Sequence, residues 1–156
     1  MKSLIERTSD KLVNAFLKNR IIAPIPSKFT KELKEAQKLR KLCESKIKHT
    51  VIGFKAAGTG IPLIKKFKEK EPFYASIYKR NFLKSGKSVK TNEATLGIEL
   101  EVCYKVKKSF FSSNETITMK NISKYISQMA PCIEVVGYRQ RKKGIASFGD
   151  LCSDFG

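Results

Sequence analysis

Apolar residues recur at helical spacing in two stretches of the first fifty positions. In residues 2–18 they lie on one side of a helix, at Ile5, Leu12, Val13, Phe16 and Leu17. We expect this helix to end near Asn19, because prolines follow at positions 24 and 26. A second helix is predicted after Thr30, its expected N-cap, with apolar positions at Leu33, Ala36, Leu39, Cys43 and Ile47.

After His49, which we interpret as a cap or surface residue, the pattern becomes that of β-strands. Short β-prone runs cover residues 51–57 and 75–78, and the clearest strand is Thr95–Val106, where apolar and polar residues alternate. Further along we predict a loop at 109–116, a short helix at 122–129 and a strand at 132–138. Helices followed by strands predict an α+β fold.

The charge of the chain is its unusual compositional feature. Its 156 residues are 41% hydrophobic, enough for one domain with a core, and carry a formal net charge of +18. This charge attracts polyanions, but only six of the 32 basic residues are arginines, on which base recognition depends heavily. We therefore expect solvated lysines and no specific nucleic-acid partner; polyanion binding is an alternative that rests on charge alone.

The spacing of the cysteines and the hydropathy of the chain indicate in which cellular compartment we expect the protein. The cysteines at positions 43, 103, 132 and 152 show no C-x-x-C pair, which disfavours a zinc or thioredoxin-like site. No run approaches the ~18 apolar residues of a membrane span, and the N-terminus lacks the pattern of a secretory signal. We expect a cytoplasmic protein with free thiols and no membrane partner.

Three glutamates stand out among the 14 acidic residues. Glu99 and Glu101 lie two apart in the clearest strand, so both carboxylates project from the same face. Glu134 lies between Ile133 and Val135 in the last predicted strand, an apolar setting that requires pairing, protonation or a metal. Oxygen ligands of this kind suit Mg²⁺ or Mn²⁺. The alternative is that Glu99 and Glu101 simply occupy a hydrated strand face.

Lys55 lies in the glycine-rich segment GFKAAGTG, residues 53–60. The segment lacks the order of a phosphate-binding loop, G-x-x-x-x-G-K-[ST]. A buried lysine here would have a lowered pKa and could act as an acid or base, or bind an anionic substrate. The alternative is a glycine turn whose lysine extends to solvent.

Five motifs occur in the order and rough spacing of the 2-keto-4-pentenoate hydratases. They are GFKAAGTG, EPFYASIY at 71–78, the turn Ser85-Gly86, GIELEVCY at 97–104 and APCIEVVGYR at 130–139. The chain resembles this family, in the hydratase/decarboxylase branch of the fumarylacetoacetate hydrolase superfamily, from about residue 20 onward.

The resemblance implies N-terminal helices in residues 1–50 and, in 51–156, an incomplete catalytic domain forming part of a mixed β-roll. It also implies a metal-dependent hydro-lyase of aromatic catabolism that adds water to a 2-hydroxy-2,4-dienoate, giving a 4-hydroxy-2-oxo acid. The family's ligands of Mg²⁺ or Mn²⁺ match Glu99, Glu101 and Glu134. Its catalytic lysine matches Lys55, and a threonine that lines its substrate pocket matches Thr59. A decarboxylase of 2-oxo diacids is the second enzymatic reading.

The chain also departs from the family pattern. Where hydratases often have Pro-Asp-Phe-Gly this chain has Pro72-Phe73-Tyr74-Ala75, and Gly137 replaces the family's Asp after the last strand. The sequence stops at Gly156, where relatives continue. We therefore expect part of a longer enzyme, a homo-oligomer at full length, or an inactive truncated paralogue, with little hydratase activity in the 156-residue chain alone.

Overall fold

The computed structural model describes residues 1–155, which form an α+β fold. The helices are α1 (Leu4–Lys18), α2 (Leu33–Lys46), α3 (Ile61–Phe67) and α4 (Phe148–Ser153). The strands are β1 (Val51–Ala57), β2 (Phe73–Tyr78), β3 (Thr95–Val106) and β4 (Ile126–Gly137), paired as β1–β2 and β3–β4. Among the described residues, no helix is both long and apolar enough to cross a membrane.

The chain divides into two compact units. Unit 1 comprises Met1–Thr95 together with the residues from Tyr138 onward, and unit 2 comprises Leu96–Gly137. Unit 1 is therefore discontinuous in sequence, whereas unit 2 is a single segment that holds β4 and all of β3 from Leu96 onward. The division at residue 50 into a helical segment and a catalytic domain stays a prediction.

Helix α1 matches its predicted boundaries because both ends are capped. The Ser3 N–H donates to the Glu6 carboxylate at 2.6 Å, and Ser3 Oγ accepts from the Glu6 N–H, which completes a capping box. At the other end Asn19 adopts φ 49°, the left-handed conformation that commonly ends helices.

The predicted N-cap of α2 is wrong. Glu32 is the N-cap, and Thr30 instead ends a 3₁₀ turn at Ser27–Phe29. Thr30 is buried: its Oγ1 accepts from Lys143 Nζ at 2.9 Å, and its carbonyl accepts from Ser147 Oγ at 2.8 Å. Residues more than a hundred positions away therefore occupy the groups that a local cap would have used.

Helix α2 joins the two apolar clusters of unit 1. On one side Leu39 and Cys43 pack with α1 residues such as Leu12 and Phe16, and on the other Ala36 packs with residues from β2 and α4. Burial raises the pKa of Cys43 to about 12 and that of Cys152 to about 11.

A buried ion pair connects α2 to β2. Arg40 is 1% exposed, and its guanidinium donates to Glu44 Oε2 at 2.6 Å. The other oxygen of Glu44 accepts from the Ser76 N–H at 3.0 Å, and the guanidinium lies 4.7 Å from the centre of the Tyr74 ring. One side-chain pair thus fixes the helix against the strand.

Strands β1 and β2 form an antiparallel pair in which Lys55 is opposite Ala75 and Ala57 is opposite Phe73. The predicted strand at 75–78 therefore begins two residues earlier. Phe73 is 3% exposed and packs edge-on against Phe148 of α4, with ring centres 5.7 Å apart. Helices α3 and α4 were not expected from the sequence.

In unit 2, the predicted helix at 122–129 is wrong beyond Tyr125. Residues Ile122–Tyr125 form a 3₁₀ turn, and β4 begins at Ile126. The Tyr125 carbonyl accepts from the Lys107 N–H at 2.8 Å, and Ser127 Oγ donates to the Lys105 carbonyl at 2.9 Å. Pairing with β3 thus replaces the helical hydrogen bonds.

Helix α4 approaches Thr30 so closely that a methyl group at Gly149 would lie 2.0 Å from the Thr30 carbonyl oxygen. We expect Gly149→Ala to lower the free energy of unfolding by about 2 kcal/mol, because overpacking outweighs the roughly 1 kcal/mol by which alanine favours a helix. Chemical denaturation measures the change. Gly53→Ala is the control, since nothing lies within 4 Å of its added carbon. Equal stability of both variants would contradict the contact.

Candidate metal centre

Because side chains alternate along β3, its carboxylates and its apolar side chains lie on opposite faces of the strand. Glu99 and Glu101 project from one face, and Ile98, Leu100 and Val102 project from the other. Both glutamates are exposed to solvent. A strand conformation is therefore sufficient to place two carboxylates side by side.

Strand β4 adds the third carboxylate. Because β3 and β4 are hydrogen-bonded neighbours, Glu134 lies beside the pair, and oxygen atoms of Glu99, Glu101 and Glu134 all lie within 4.8 Å of one another. Glu134 is half-buried. We call these three residues the acidic cluster.

The acidic cluster fits a hard divalent cation. Its donors are all carboxylate oxygens, which Mg²⁺ and Mn²⁺ prefer. Three like charges at this separation repel one another, and a cation between them would remove that repulsion. Two of the three side chains are exposed, so an ion and a small acid could both approach from solvent.

Two thiols adjoin the acidic cluster. Cys103 lies two residues after Glu101, and Cys132 two before Glu134, so each projects from the same strand face as its glutamate. Partial burial raises the pKa of Cys132, and the charges of Cys103, Glu101 and Glu134 raise it further. The position of both thiols beside the glutamates follows from their spacing of two residues in the sequence.

Lys55 and Thr59 belong to unit 1. Lys55 lies in the middle of β1 and is half-buried, and Thr59 is exposed in the connection from β1 to α3. Gly58, beside Thr59, adopts φ +72°, and a methyl group there would lie 2.5 Å from the Phe148 ring. This contact explains one glycine of the motif, whereas the roles of Lys55 and Thr59 stay predictions.

The structure shows where the two residues that depart from the hydratase pattern lie. Phe73, in the segment where hydratases often have an aspartate, is a core residue, and Gly137 is the last residue of β4.

His49 is exposed, and Nε2 of its ring lies 3.1 Å from a guanidinium nitrogen of Arg80, consistent with a surface residue.

No protein family and no curated protein matches the sequence. The structure is similar to 4-oxalocrotonate decarboxylase from Pseudomonas putida G7 in complex with magnesium and adipate, with a TM-score of 0.74 and 13% identity. The match covers 97% of this chain and 58% of that one. For the same enzyme with calcium and acetate, the TM-score is 0.71, the identity 12%, and the shares 97% and 57%.

The comparison establishes a shared fold. The N-terminal helices and small sheets of this chain correspond to part of the decarboxylase fold, and the chain spans less than three fifths of that enzyme. The expected α+β class is therefore confirmed, and the match lies in the branch suggested by the sequence motifs.

The cysteines differ in accessibility: Cys103 and Cys132 are exposed, whereas Cys43 and Cys152 are buried with raised pKa values. We expect Cys103 and Cys132 to react with Ellman's reagent at pH 8 in the folded chain, Cys132 the more slowly because its pKa is raised. The other two should react only after unfolding, because burial blocks access. Cys103→Ser should remove one fast thiol, and Cys43→Ser none. Fast reaction of all four thiols in the folded chain would contradict the burial of Cys43 and Cys152.

Proposed function

We propose that the chain forms the metal-binding part of a lyase that acts on 2-oxo acids, with hydration of a 2-hydroxy-2,4-dienoate as its reaction. The observation that carries the proposal is the convergence of Glu99, Glu101 and Glu134 within 4.8 Å on paired strands. Carboxylates from two strands are placed together only by the fold, which makes the arrangement more specific than an acidic run in sequence.

The fold comparison supports the same class of chemistry. The decarboxylase whose fold it partly shares binds magnesium with adipate in one structure and calcium with acetate in the other. Both cations prefer oxygen ligands, and both organic ligands are carboxylates. We propose that this chain likewise holds Mg²⁺ or Mn²⁺ through the acidic cluster and takes a small carboxylic acid.

The proposed roles follow from the chemistry of each side chain. Glu99, Glu101 and Glu134 would hold the cation, which when bound supplies Lewis acidity toward the carboxylate and 2-oxygen of the substrate. Lys55, half-buried in β1, would move a proton to or from substrate carbon, and Thr59 would line the substrate pocket.

Decarboxylation of a 2-oxo diacid is the second candidate, favoured by the similarity to 4-oxalocrotonate decarboxylase. Both reactions polarise the same 2-oxo acid unit, so the acidic cluster would serve either one. A non-catalytic subunit remains the third alternative, and polyanion binding, on net charge alone, the fourth.

Metal binding gives the first test. We expect Mn²⁺ to bind the purified chain with a 1:1 ratio in isothermal titration calorimetry, and Glu101→Gln to weaken it at least about 10-fold, since a charged ligand is lost. Glu71→Gln, an exposed residue of unit 1, makes the same charge change as a control. Equal affinity in both variants would contradict the assignment.

The reaction is tested under single-turnover conditions, with the chain in excess over 2-hydroxypenta-2,4-dienoate. Since we expect little hydratase activity in the 156-residue chain alone, the dienol absorbance should fall only slowly in the presence of Mn²⁺, without release of CO₂. Lys55→Met should slow this reaction further while Mn²⁺ affinity is kept. Lys90→Met serves as the surface control. CO₂ release from 4-oxalocrotonate would instead assign decarboxylation, and Mn²⁺ binding without either reaction would favour the non-catalytic subunit.

A further inference from the structure

Two of the four cysteines lie on the strand face that carries the acidic cluster. Cys103 follows Glu101 by two residues in β3, and Cys132 precedes Glu134 by two residues in β4, so each thiol projects from the same side as its glutamate. Both thiols are exposed, and neither is in a disulfide. Neither has a role in the proposed function.

The direction of the two strands decides how the thiols lie relative to each other. β3 and β4 are antiparallel, because the N–H of Lys107, directly after β3, donates to the carbonyl of Tyr125, directly before β4. In an antiparallel pair, two residues forward on one strand and two residues backward on the other displace a side chain in the same direction, by about 7 Å. The steps from Glu101 to Cys103 and from Glu134 to Cys132 are of this kind.

Cys103 therefore has the same position relative to Cys132 as Glu101 has relative to Glu134. The carboxylate oxygens of these two glutamates lie within 4.8 Å of each other. Cys103 also raises the pKa of Cys132 more than either glutamate does, which agrees with adjacent thiols. The two cysteines are thus neighbours across the strand pair, on one exposed face of unit 2.

Neighbours of this kind are within reach of a disulfide bond. Paired residues of antiparallel strands have Cα atoms about 4.5–5.5 Å apart, and disulfides join Cα atoms about 4.4–6.8 Å apart. The other two thiols are separated from this pair and from each other, since Cys43 and Cys152 are buried in different apolar clusters of unit 1. Exposure gives both an oxidant and a reductant access to the pair, as in reversible disulfides.

We propose that Cys103 and Cys132 are a redox-sensitive pair, which a peroxide converts into a reversible disulfide linking β3 to β4 beside the acidic cluster. One thiolate sulfur attacks hydrogen peroxide, which breaks the O–O bond and gives a sulfenic acid and hydroxide. The second thiolate attacks the sulfenic sulfur, forms the S–S bond and displaces hydroxide. The two thiols lose two electrons in total, and their two protons convert the two hydroxides into water.

The bond would stabilise the strand pairing that brings Glu101 and Glu134 together. A two-stranded ribbon is marginally stable in water, and a cross-link between its strands restricts the unfolded chain. No metal ion takes part in forming the bond, so the proposal does not rest on the proposed function.

Oxidation of the folded, reduced chain with hydrogen peroxide tests the pair, with the remaining thiols alkylated afterwards in denaturant. We expect alkylation of only two of the four cysteines, a mass about 2 Da lower before alkylation, and a linked peptide joining Cys103 to Cys132. Dithiothreitol should restore all four thiols.

Oxidation in guanidinium chloride shows whether the fold selects this pair. Cys132 is closer in sequence to Cys152 than to Cys103, so loop closure in the unfolded chain should favour the bond to Cys152. An equal yield of the Cys103–Cys132 bond in the folded and unfolded chains would contradict its placement by the strands.

Cys103→Ser and Cys132→Ser should each abolish the intramolecular bond. Cys43→Ser is the matched control and should keep it, because Cys43 is buried in unit 1. The wild-type result stands without the variants. Four thiols alkylated after peroxide treatment, sulfinic acids without a linked peptide, or a disulfide between two chains would each overturn the proposal.

Discussion

Arg40 is almost fully buried, and its charge is compatible with the interior of unit 1 only because Glu44 lies within 2.6 Å. The two side chains also contact β2. Glu44 also accepts from the backbone of Ser76 in β2, and Arg40 covers the ring of Tyr74 in the same strand. Since β2 pairs with β1, this ion pair sets where α2 lies against the sheet that carries Lys55.

Unit 2 is organised by a different constraint, the period of two in an extended chain. Alternation in β3 assigns carboxylates to one face and large apolar side chains to the other, so the proposed ion site occupies one face of the strand only. Leu100 and Glu101, although adjacent in sequence, therefore lie on opposite faces.

The sequence was informative where structure is determined locally. The C-terminal end of α1, the extent of β3 and the face shared by Glu99 and Glu101 follow from apolar spacing, the prolines after α1 and alternation, and all are seen in the structure. It was misleading where contacts with residues distant in sequence determine the local conformation. Thr30 accepts hydrogen bonds from Lys143 and Ser147 instead of capping α2, and the residues after Tyr125 pair with β3 rather than form a helix. Hydration and decarboxylation cannot be separated from the acidic cluster, because both use the same 2-oxo acid unit.

The discontinuity of unit 1 has a consequence for biosynthesis. Thr30 receives its hydrogen bond from Ser147, and the Ile25 N–H donates to Gln140, so the core of unit 1 joins residues separated by more than a hundred positions. During translation the core of unit 1 can be completed only after residues 138–155 have emerged, whereas the residues that pair as β3 and β4 have all emerged before then. Until then α1 and α2 can pack on each other through residues such as Leu12 and Leu39, but the apolar residues that contact α4 stay uncovered.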